Sequence, residues 1–517
     1  MRSLPFPKLV SAFFLAGLAC AYSAALPTPR DYIFRHENVL GTSLELRVRA
    51  DSADAAESAE AKVLAEIDRL SGIASSYAPT SEFSRWQQTR GTATKLSVEL
   101  FELLTQAEHW QKRSGGVFDP GVESLTRAWQ EAARQGRPPS PVALDAARGR
   151  ATAAAWSLDP TTREAIHLSD CPLTLNAVAK GYIIDHAGAA ACAAGSGVRG
   201  LLLNIGGDLR AWGELETPVN IADPRHDAEN AGAMASVRVR QQAIATSGNY
   251  RRGVEIQGRS YSHIIDPRNG QPAADVLSAT VIAPDAATAG PLATILNILS
   301  PEEVARRTDL KGIEWMVVRA DGTTLRSPGW PEMLVASADT GSSGSPATPA
   351  PPTGAGNWPG DFEMAVNFEL NQPGSGRFAR PYVALWVEDK DGFPVRTLIL
   401  WLMQGRGGQR WLPDLRRWYK SDQLRAVMDT TDLAATVSSA TRQPGKYTAV
   451  WDGTDDHKRP VKRGTYTVYL EAVREHGTYQ LMRKEVTIGT QPFREELQGN
   501  IEVKSATLEY RQRPAAK

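Results

Sequence analysis

The sequence is poor in cysteine, with three in 517 residues, and no Cys/His set has the spacing of a structural zinc site. It has no excess of charge: 58 Lys and Arg balance 58 Asp and Glu. That excludes the bulk positive field of a nucleic-acid-binding chain or of a protein held on an anionic membrane. The dinucleotide fingerprint G-x-G-x-x-G is missing at the Gly206-Gly207 turn, so a Rossmann reading has no support there. The apolar run from Leu9 to Ala21 is too short to span a bilayer. It follows Arg2 and Lys8 and leads into Tyr22-Ser23-Ala24-Ala25, the pattern of a secretory signal over residues 1–25. Export, to a periplasm, is therefore expected. Lipid anchoring at Cys20 is the minority alternative, because Gly17 stands where a larger aliphatic residue is usual. Outside the cytosol Cys171 and Cys192 are free to pair; two separate thiols, with Cys192 in an Ala-rich helix, is the competing reading.

What is present divides the chain. Residues 337–360 are dominated by Pro, Gly, Ser, Thr and Ala, with almost nothing to bury, and read as a linker. Residues 26–336 mix helix and strand patterns. Val63, Leu64, Ile67 and Leu70 recur at helical spacing within 54–70, and helices are also expected over 98–113 and 179–194. Strands are expected at 200–205, 233–240, 254–256, 279–282 and 315–319, which makes the region α/β or α+β. Residues 361–517 carry short β-branched and aromatic runs separated by Asp391-Gly392, Pro444-Gly445, Asp452-Gly453 and Arg463-Gly464, the pattern of a small antiparallel β-sandwich.

Five segments of the first region carry chemistry. At 114–120, SGGVFDP, the glycines permit close backbone approach and Phe118 offers a ring; a helix stop followed by a turn is the plainer reading. At 174–182, TLNAVAKGY, a strand is expected to feed a small-residue turn and a helix whose N-terminus, with Lys180, suits a diphosphate; a strand–helix connection with a surface lysine is the alternative. At 204–210, NIGGDLR, the glycines follow an apolar strand and mark either a ligand approach or a hairpin turn. At 245–272, Arg251 and Arg252 can meet phosphate, and His263, beside Ser262 and three residues before Asp266-Pro267, is a candidate general base rather than a structural histidine. At 285–294, small residues and hydroxyls open a helix, for which capping by Thr288 is the plain reading.

Taken in order, SGGVFDP, LNAVAKGY, NIGGDLRAWG, ATSGNYRR, YSHIIDPRNGQP and VIAPDAATAGPLAT resemble the ApbE family of FAD:protein FMN transferases, over about residues 32–336. Ser76-Tyr77 and residues 81–85 look like the family's first flavin-contacting segment. The resemblance implies an exported enzyme that binds FAD and a divalent metal, usually Mg2+. It cuts the FAD diphosphate and passes FMN to a Thr hydroxyl of an acceptor protein. It implies His263 as base and Tyr77, Val117, Phe118, Asp119, Thr174, Lys180, Gly206, Gly207, Asp208, Ser247, Gly248 and Ile264 as flavin-nucleotide contacts. Ala177, through its carbonyl, and Thr294 match metal ligands. Two positions depart from the pattern: Thr174 stands where an Asp is usual, and Gly290 stands where the family carries its metal-binding Asp. That loss makes a catalytically weak FAD-binding or redox scaffold the alternative.

The tail, through ALWVEDKDG, WLPDLRRWYK and the segment 438–468, resembles an exported β-rich domain of unassigned function. Ser438-Ser439-Ala440-Thr441 is similar to the acceptor site these transferases modify, so Thr441 is a candidate flavin acceptor in cis; an ordinary polar strand edge is the competing reading.

Overall fold

The computed structural model describes residues 28–513 apart from 152–153, 194–196, 226–229, 231–232, 250–252, 308–309, 336–355, 373–379, 404–407, 427–431, 475–477 and 500. The signal segment with Cys20, the Arg251-Arg252 pair and most of the 337–360 linker lie outside the described residues.

The first region is built on eight strands: β1 (Arg30–Val39), β2 (Thr42–Ala50), β3 (Val198–Ile205), β4 (Asp208–Gly213), β5 (Ala243–Gly248), β6 (Val276–Ala283), β7 (Glu314–Arg319) and β8 (Thr324–Arg326). They lie in the sheet in that same order, and every neighbouring pair is antiparallel. The α/β alternative is thereby resolved to α+β. Alternation sets the faces. Leu44, Leu46 and Val48 of β2 are buried while their neighbours are half-exposed, as a half-covered strand requires. In β3, Leu201, Leu203 and Ile205 enter the main core and Leu202 enters a second one, so this strand is covered on both faces.

Four helices supply most of the helical side of the main core: α1 (Ala53–Ala74), α2 (Val98–Ser114), α3 (Asn176–Cys192) and α4 (Ala286–Ile295), with Phe83 and Trp86 of the short helix Glu82–Gln87 added. α1 starts where Ser52 Oγ accepts from Ala55 N–H and buries Ala56, Ala59, Val63, Ile67, Leu70 and Ala74 along one stripe. α2 stops at Gly115, held at φ +67°. α3 begins at Asn176, three residues before the expected start, and follows a segment without regular structure rather than a strand. The second face of the sheet is covered by the hairpin of Thr217–Ala222 with Ala233–Val239 and by the fully buried Trp330.

α3 and α4 approach unusually closely. A Cβ on Gly181 would lie 2.2 Å from the Ala286 carbonyl oxygen, and one on Gly188 would lie 2.1 Å from the Trp212 ring. Small residues at these two positions let α3 settle between α4 and β4.

Among the described residues the C-terminal region has nine strands: β9 (Phe362–Leu370), β10 (Tyr382–Asp389), β11 (Pro394–Leu402), β12 (Ser438–Ala440), β13 (Gly445–Trp451), β14 (Gly464–Val473), β15 (Tyr479–Ile488), β16 (Phe493–Gln498) and β17 (Val503–Gln512). One sheet runs β13-β9-β17-β16 and the other β12-β11-β10-β14-β15. Their facing side chains, among them Met364, Phe368, Leu385, Trp401, Trp451 and Tyr510, form one core. The expectation of an antiparallel sandwich holds with one exception, the parallel pair β11–β12. The helix Arg416–Ala426 packs Trp418 on the outer face of the second sheet with Trp386 and Tyr469. Buried Glu471 accepts from its first N–H groups, at Arg417 (2.9 Å) and Trp418 (2.8 Å).

The two regions meet at an amide, and Lys446 Nζ also lies 3.8 Å from Glu255 Oε2. Asn230 Nδ2 donates to the Val450 carbonyl at 2.7 Å, and Val450 N–H donates back to Oδ1 at 2.9 Å. β13 is an edge strand, so the carboxamide covers backbone groups that would otherwise be open.

The Gly181→Ala variant should lose roughly 1–3 kcal/mol of stability, because the added methyl meets a backbone oxygen that cannot swing aside. Thermal unfolding checks this; an unchanged Tm would show that the α3–α4 approach is looser than described.

Candidate functional site

Three turns converge on the start of α3. The Thr174 N–H donates to the Pro120 carbonyl at 3.0 Å, and Asn176 Nδ2 donates to the Tyr77 hydroxyl at 2.7 Å. Leu175, the cap position, supplies no side-chain bond to the helix; in the first turn Asn176 N–H donates to Thr174 Oγ1 at 3.4 Å and Val178 N–H to the Leu175 carbonyl at 3.0 Å, which leaves the Ala177 N–H for another partner. Tyr77 is 80 % exposed. Val117 and Phe118 are buried in the main core, so the Phe118 ring is packing, not an open face for a flat ligand. Asp119 is buried as well: its Oδ1 accepts from Gly121 N–H at 2.8 Å and its Oδ2 from Gln111 Nε2 at 2.7 Å. Burial pushes its carboxyl above the usual range against those two bonds.

One turn further along α3, Lys180 Nζ lies 2.6 Å from Asp208 Oδ2. Asp208 follows the glycine pair, with Gly206 at φ +60° and Gly207 at φ +94°. The turn is closed by Gly207 N–H donating to Asn204 Oδ1 at 3.0 Å. A Cβ on Gly206 would lie 2.6 Å from the Thr42 methyl, so glycine is needed there for both conformation and room. The segment is a hairpin turn between β3 and β4 that also places a carboxylate beside Lys180.

The α3–α4 contact brings the expected metal residues together. A Cβ on Gly290 would stand 3.4 Å from the Ala177 carbonyl oxygen, and Thr294 Oγ1 donates to the Gly290 carbonyl at 3.3 Å. The set does not fit a resident magnesium ion. Its oxygens are a carbonyl and a hydroxyl, both neutral, whereas Mg2+ is normally held by at least one carboxylate. The neighbouring carboxylates have other partners. Asp285 caps α4 by accepting from Thr288 N–H at 2.8 Å, which corrects the assignment of that cap to Thr288. Asp208 is paired with Lys180. Asp185 Oδ1 accepts from Ala286 N–H at 3.0 Å and Arg210 at 2.8 Å, and its Oδ2 from Ala287 N–H at 2.9 Å. No group of three His, Cys, Asp or Glu suited to a metal occurs among the described residues.

His263 is exposed at the end of the hairpin Gly253–Ile256 with Arg259–Ser262. Its sequence neighbours each close a turn. Ser262 Oγ accepts from Ile264 N–H at 3.0 Å, and Asp266 holds Arg268, with a shortest contact of 2.7 Å. Ile264 is buried. The segment is anchored by Trp129, whose ring meets Tyr261 at 4.8 Å and whose Nε1 donates to the Gly270 carbonyl at 3.0 Å. Ser247 and Gly248 end β5, and the Ser247 carbonyl accepts from Asn297 Nδ2 at 3.0 Å. Cys171 is a buried free thiol and Cys192 an exposed one. Thr441 is only 5 % exposed, and its carbonyl accepts from Arg380 at 3.4 Å.

The geometry thus groups Tyr77 with Thr174 and Asn176, Lys180 with Asp208, and Ala177 with Gly290 and Thr294. Sequence reasoning missed Asp185, Arg210, Gln111 and Asn297. A lone carboxylate in the Ala-rich α3 was the only signal for Asp185.

The start of α3, Lys180 and the glycine-turn carboxylate Asp208 lie together in an α+β domain built on one antiparallel sheet, which is followed by a β-sandwich. The ApbE family model matches residues 40–317, and a model described as a predicted periplasmic protein, DUF2271, matches residues 363–505. An FAD:protein FMN transferase of Rhodobacter capsulatus is 29% identical over 328 residues, 62% of this chain and 61% of its own length. One of Salmonella typhimurium is 26% identical over 341 residues, 63% of this chain and 96% of that protein. The crystal structure of the ApbE protein of Thermotoga maritima superposes with a TM-score of 0.52 at 25% identity, covering 59% of this chain and 99% of that one. The chain belongs to the ApbE family. Among the described residues no helix is long and apolar enough to cross a membrane.

A buried carboxyl whose native pKa is raised contributes stability below its unfolded pKa and loses it as pH rises through the native value. The Asp119→Asn variant, which keeps the Gly121 cap, should therefore gain stability relative to the parent as pH rises above about 4, the usual carboxylate value. Urea unfolding across that range checks it; a difference independent of pH would contradict the assignment.

Proposed function

We propose that this protein is an exported FAD:protein FMN transferase whose acceptor is a Thr hydroxyl on a separate protein. The observation that carries the reading is the Lys180–Asp208 pair at 2.6 Å beside the start of α3, in a chain matching the ApbE model from 40 to 317. Lys180 and the Ala177 N–H at the start of α3 face the FAD diphosphate and offset its charge. His263 takes the proton of the acceptor hydroxyl. The Thr oxygen attacks the phosphorus of the FMN half, the bond to the bridging oxygen breaks, and AMP leaves with that oxygen. Tyr77, Thr174, the Gly206-Gly207 turn, Ser247, Gly248 and Ile264 line the flavin-nucleotide path, with Val117, Phe118 and Asp119 shaping it from below. No step is assigned to a metal, because the oxygens at Ala177 and Thr294 are neutral and Gly290 adds none.

That same gap favours a second reading, an FAD-binding scaffold with little turnover. The burial of Thr441 supports an acceptor outside this chain rather than its own C-terminal domain. The family models end at 317 and begin at 363, which supports a division at the 337–360 linker. The periplasmic description of the second model supports export after a signal at 1–25, with Cys20 anchoring as the lesser alternative.

The test is to mix the protein with FAD, Mg2+ and a peptide bearing Ser-Gly-Ala-Thr, and to follow the fluorescent covalent product by mass. Product is expected, with His263→Ala reducing the rate by about 100-fold or more. Gly290→Asp should raise the rate and add a calorimetric signal for Mg2+ that the parent lacks. FAD bound without product would favour the scaffold. An FMN adduct on the protein itself, at Thr441, would overturn the separate acceptor.

A further inference from the structure

We propose that Asp185 is a positioning residue for the flavin-nucleotide site: a single carboxylate that locks together the three segments carrying Lys180, Asp208 and Thr294. The inference rests on the transferase reading for what those segments bind, but not for how they are held.

Asp185 lies on α3, one and a half turns beyond Lys180. Its two oxygens accept from three donors on two other elements. Ala286 and Ala287 N–H belong to the first turn of α4, the helix that carries Gly290 and Thr294. Arg210 belongs to β4, two residues after Asp208. The side chains are largely covered, Asp185 being 14 % exposed and Arg210 23 %. A charge-assisted pair out of water is strong and directional, and removing one partner leaves the other uncompensated.

The contact also works where no side chain could. Next to it, Gly181 meets the Ala286 carbonyl with no room for a methyl, so α3 and α4 touch backbone to backbone. Such a contact fixes distance but leaves sliding along the helix axis open. Asp185 removes that freedom, because two adjacent N–H groups of α4 accept only one axial position of the carboxylate. The register so fixed sets Ala177 opposite Gly290. Arg210 then ties β4 to the same point, which sets the Asp208 carboxylate against Lys180. Burial raises the Asp185 carboxyl above its usual range, opposed by Ala286 N–H, Arg210 and Ala287 N–H; the helix N–H groups and guanidinium are what this buried group has in place of water.

The role separates from plain structural support by a double-mutant cycle on FAD affinity, read by quenching of flavin fluorescence. Asp185→Asn keeps the shape and one acceptor but turns an amide N–H toward a donor. It should weaken FAD binding about ten-fold in the parent background. In a Lys180→Met background it should weaken binding less than about two-fold, because the lysine it positions is gone. Equal effects in both backgrounds, or unchanged affinity with only a lower Tm, would overturn the positioning role. If Asp185→Asn does not fold, Arg210→Met takes its place in the cycle, since it removes the β4 arm alone and leaves the α4 bonds intact. Parent protein that binds no FAD at all would instead overturn the transferase reading, an outcome distinct from both.

Discussion

Two helices meeting without side chains between them is the constraint on which the site depends. Gly181 allows α3 to reach the Ala286 carbonyl, and Asp185 caps α4 from across the gap. With that register set, Ala177, Gly290 and Thr294 share one small space, and β4 is drawn in through Arg210. A larger residue at Gly181 would part the helices; a neutral one at Asp185 would let them slide. The sheet contributes position rather than chemistry: β3 and β4 carry the glycine turn to the helix pair because they are adjacent in an all-antiparallel order.

The site has an uneven character. On its lysine side, a cation, a carboxylate and the Ala177 N–H at the start of α3 are in place. On its α4 side there are only neutral oxygens, because Gly290 provides backbone where a carboxylate would have room. Asp285 does not compensate, since its side chain holds the N-terminus of its own helix. Chemistry that depends on a carboxylate-held cation has no support from these residues, whereas charge neutralisation by Lys180 does.

Much of this was legible in the sequence, for identifiable reasons. The α1 stripe announces itself by period, and the ordered motifs identify the family over the first region. What escaped was long-range. β1 and β2 are rich in Arg and Glu, paired across the strands at Arg35–Glu45 and Arg49–Asp31, and so lack an apolar signature on their outer face. The start of α3 was set three residues late because Leu175 and Asn176 resemble a turn, yet the tertiary contacts of Ser76, Tyr77 and Pro120 hold them at the helix start. Phe118 and Asp119 were matched to flavin contacts through the family resemblance, and local spacing gave no sign that both side chains are buried. The turns closed by Ser262 and Asp266 beside His263 were likewise not visible from spacing alone. In the tail, the helix Arg416–Ala426 was hidden by its Arg and Lys content, and its place is set by Glu471, more than forty residues away in sequence.

The most direct measurement is the affinity for FAD with and without a strong chelator of divalent ions. If Lys180 and the α3 N-terminus hold the diphosphate, the dissociation constant changes by less than about two-fold on chelation, well under the factor of ten that 1.4 kcal/mol represents. A loss of affinity of ten-fold or more would contradict that arrangement and show that a cation is held here without the carboxylate at Gly290.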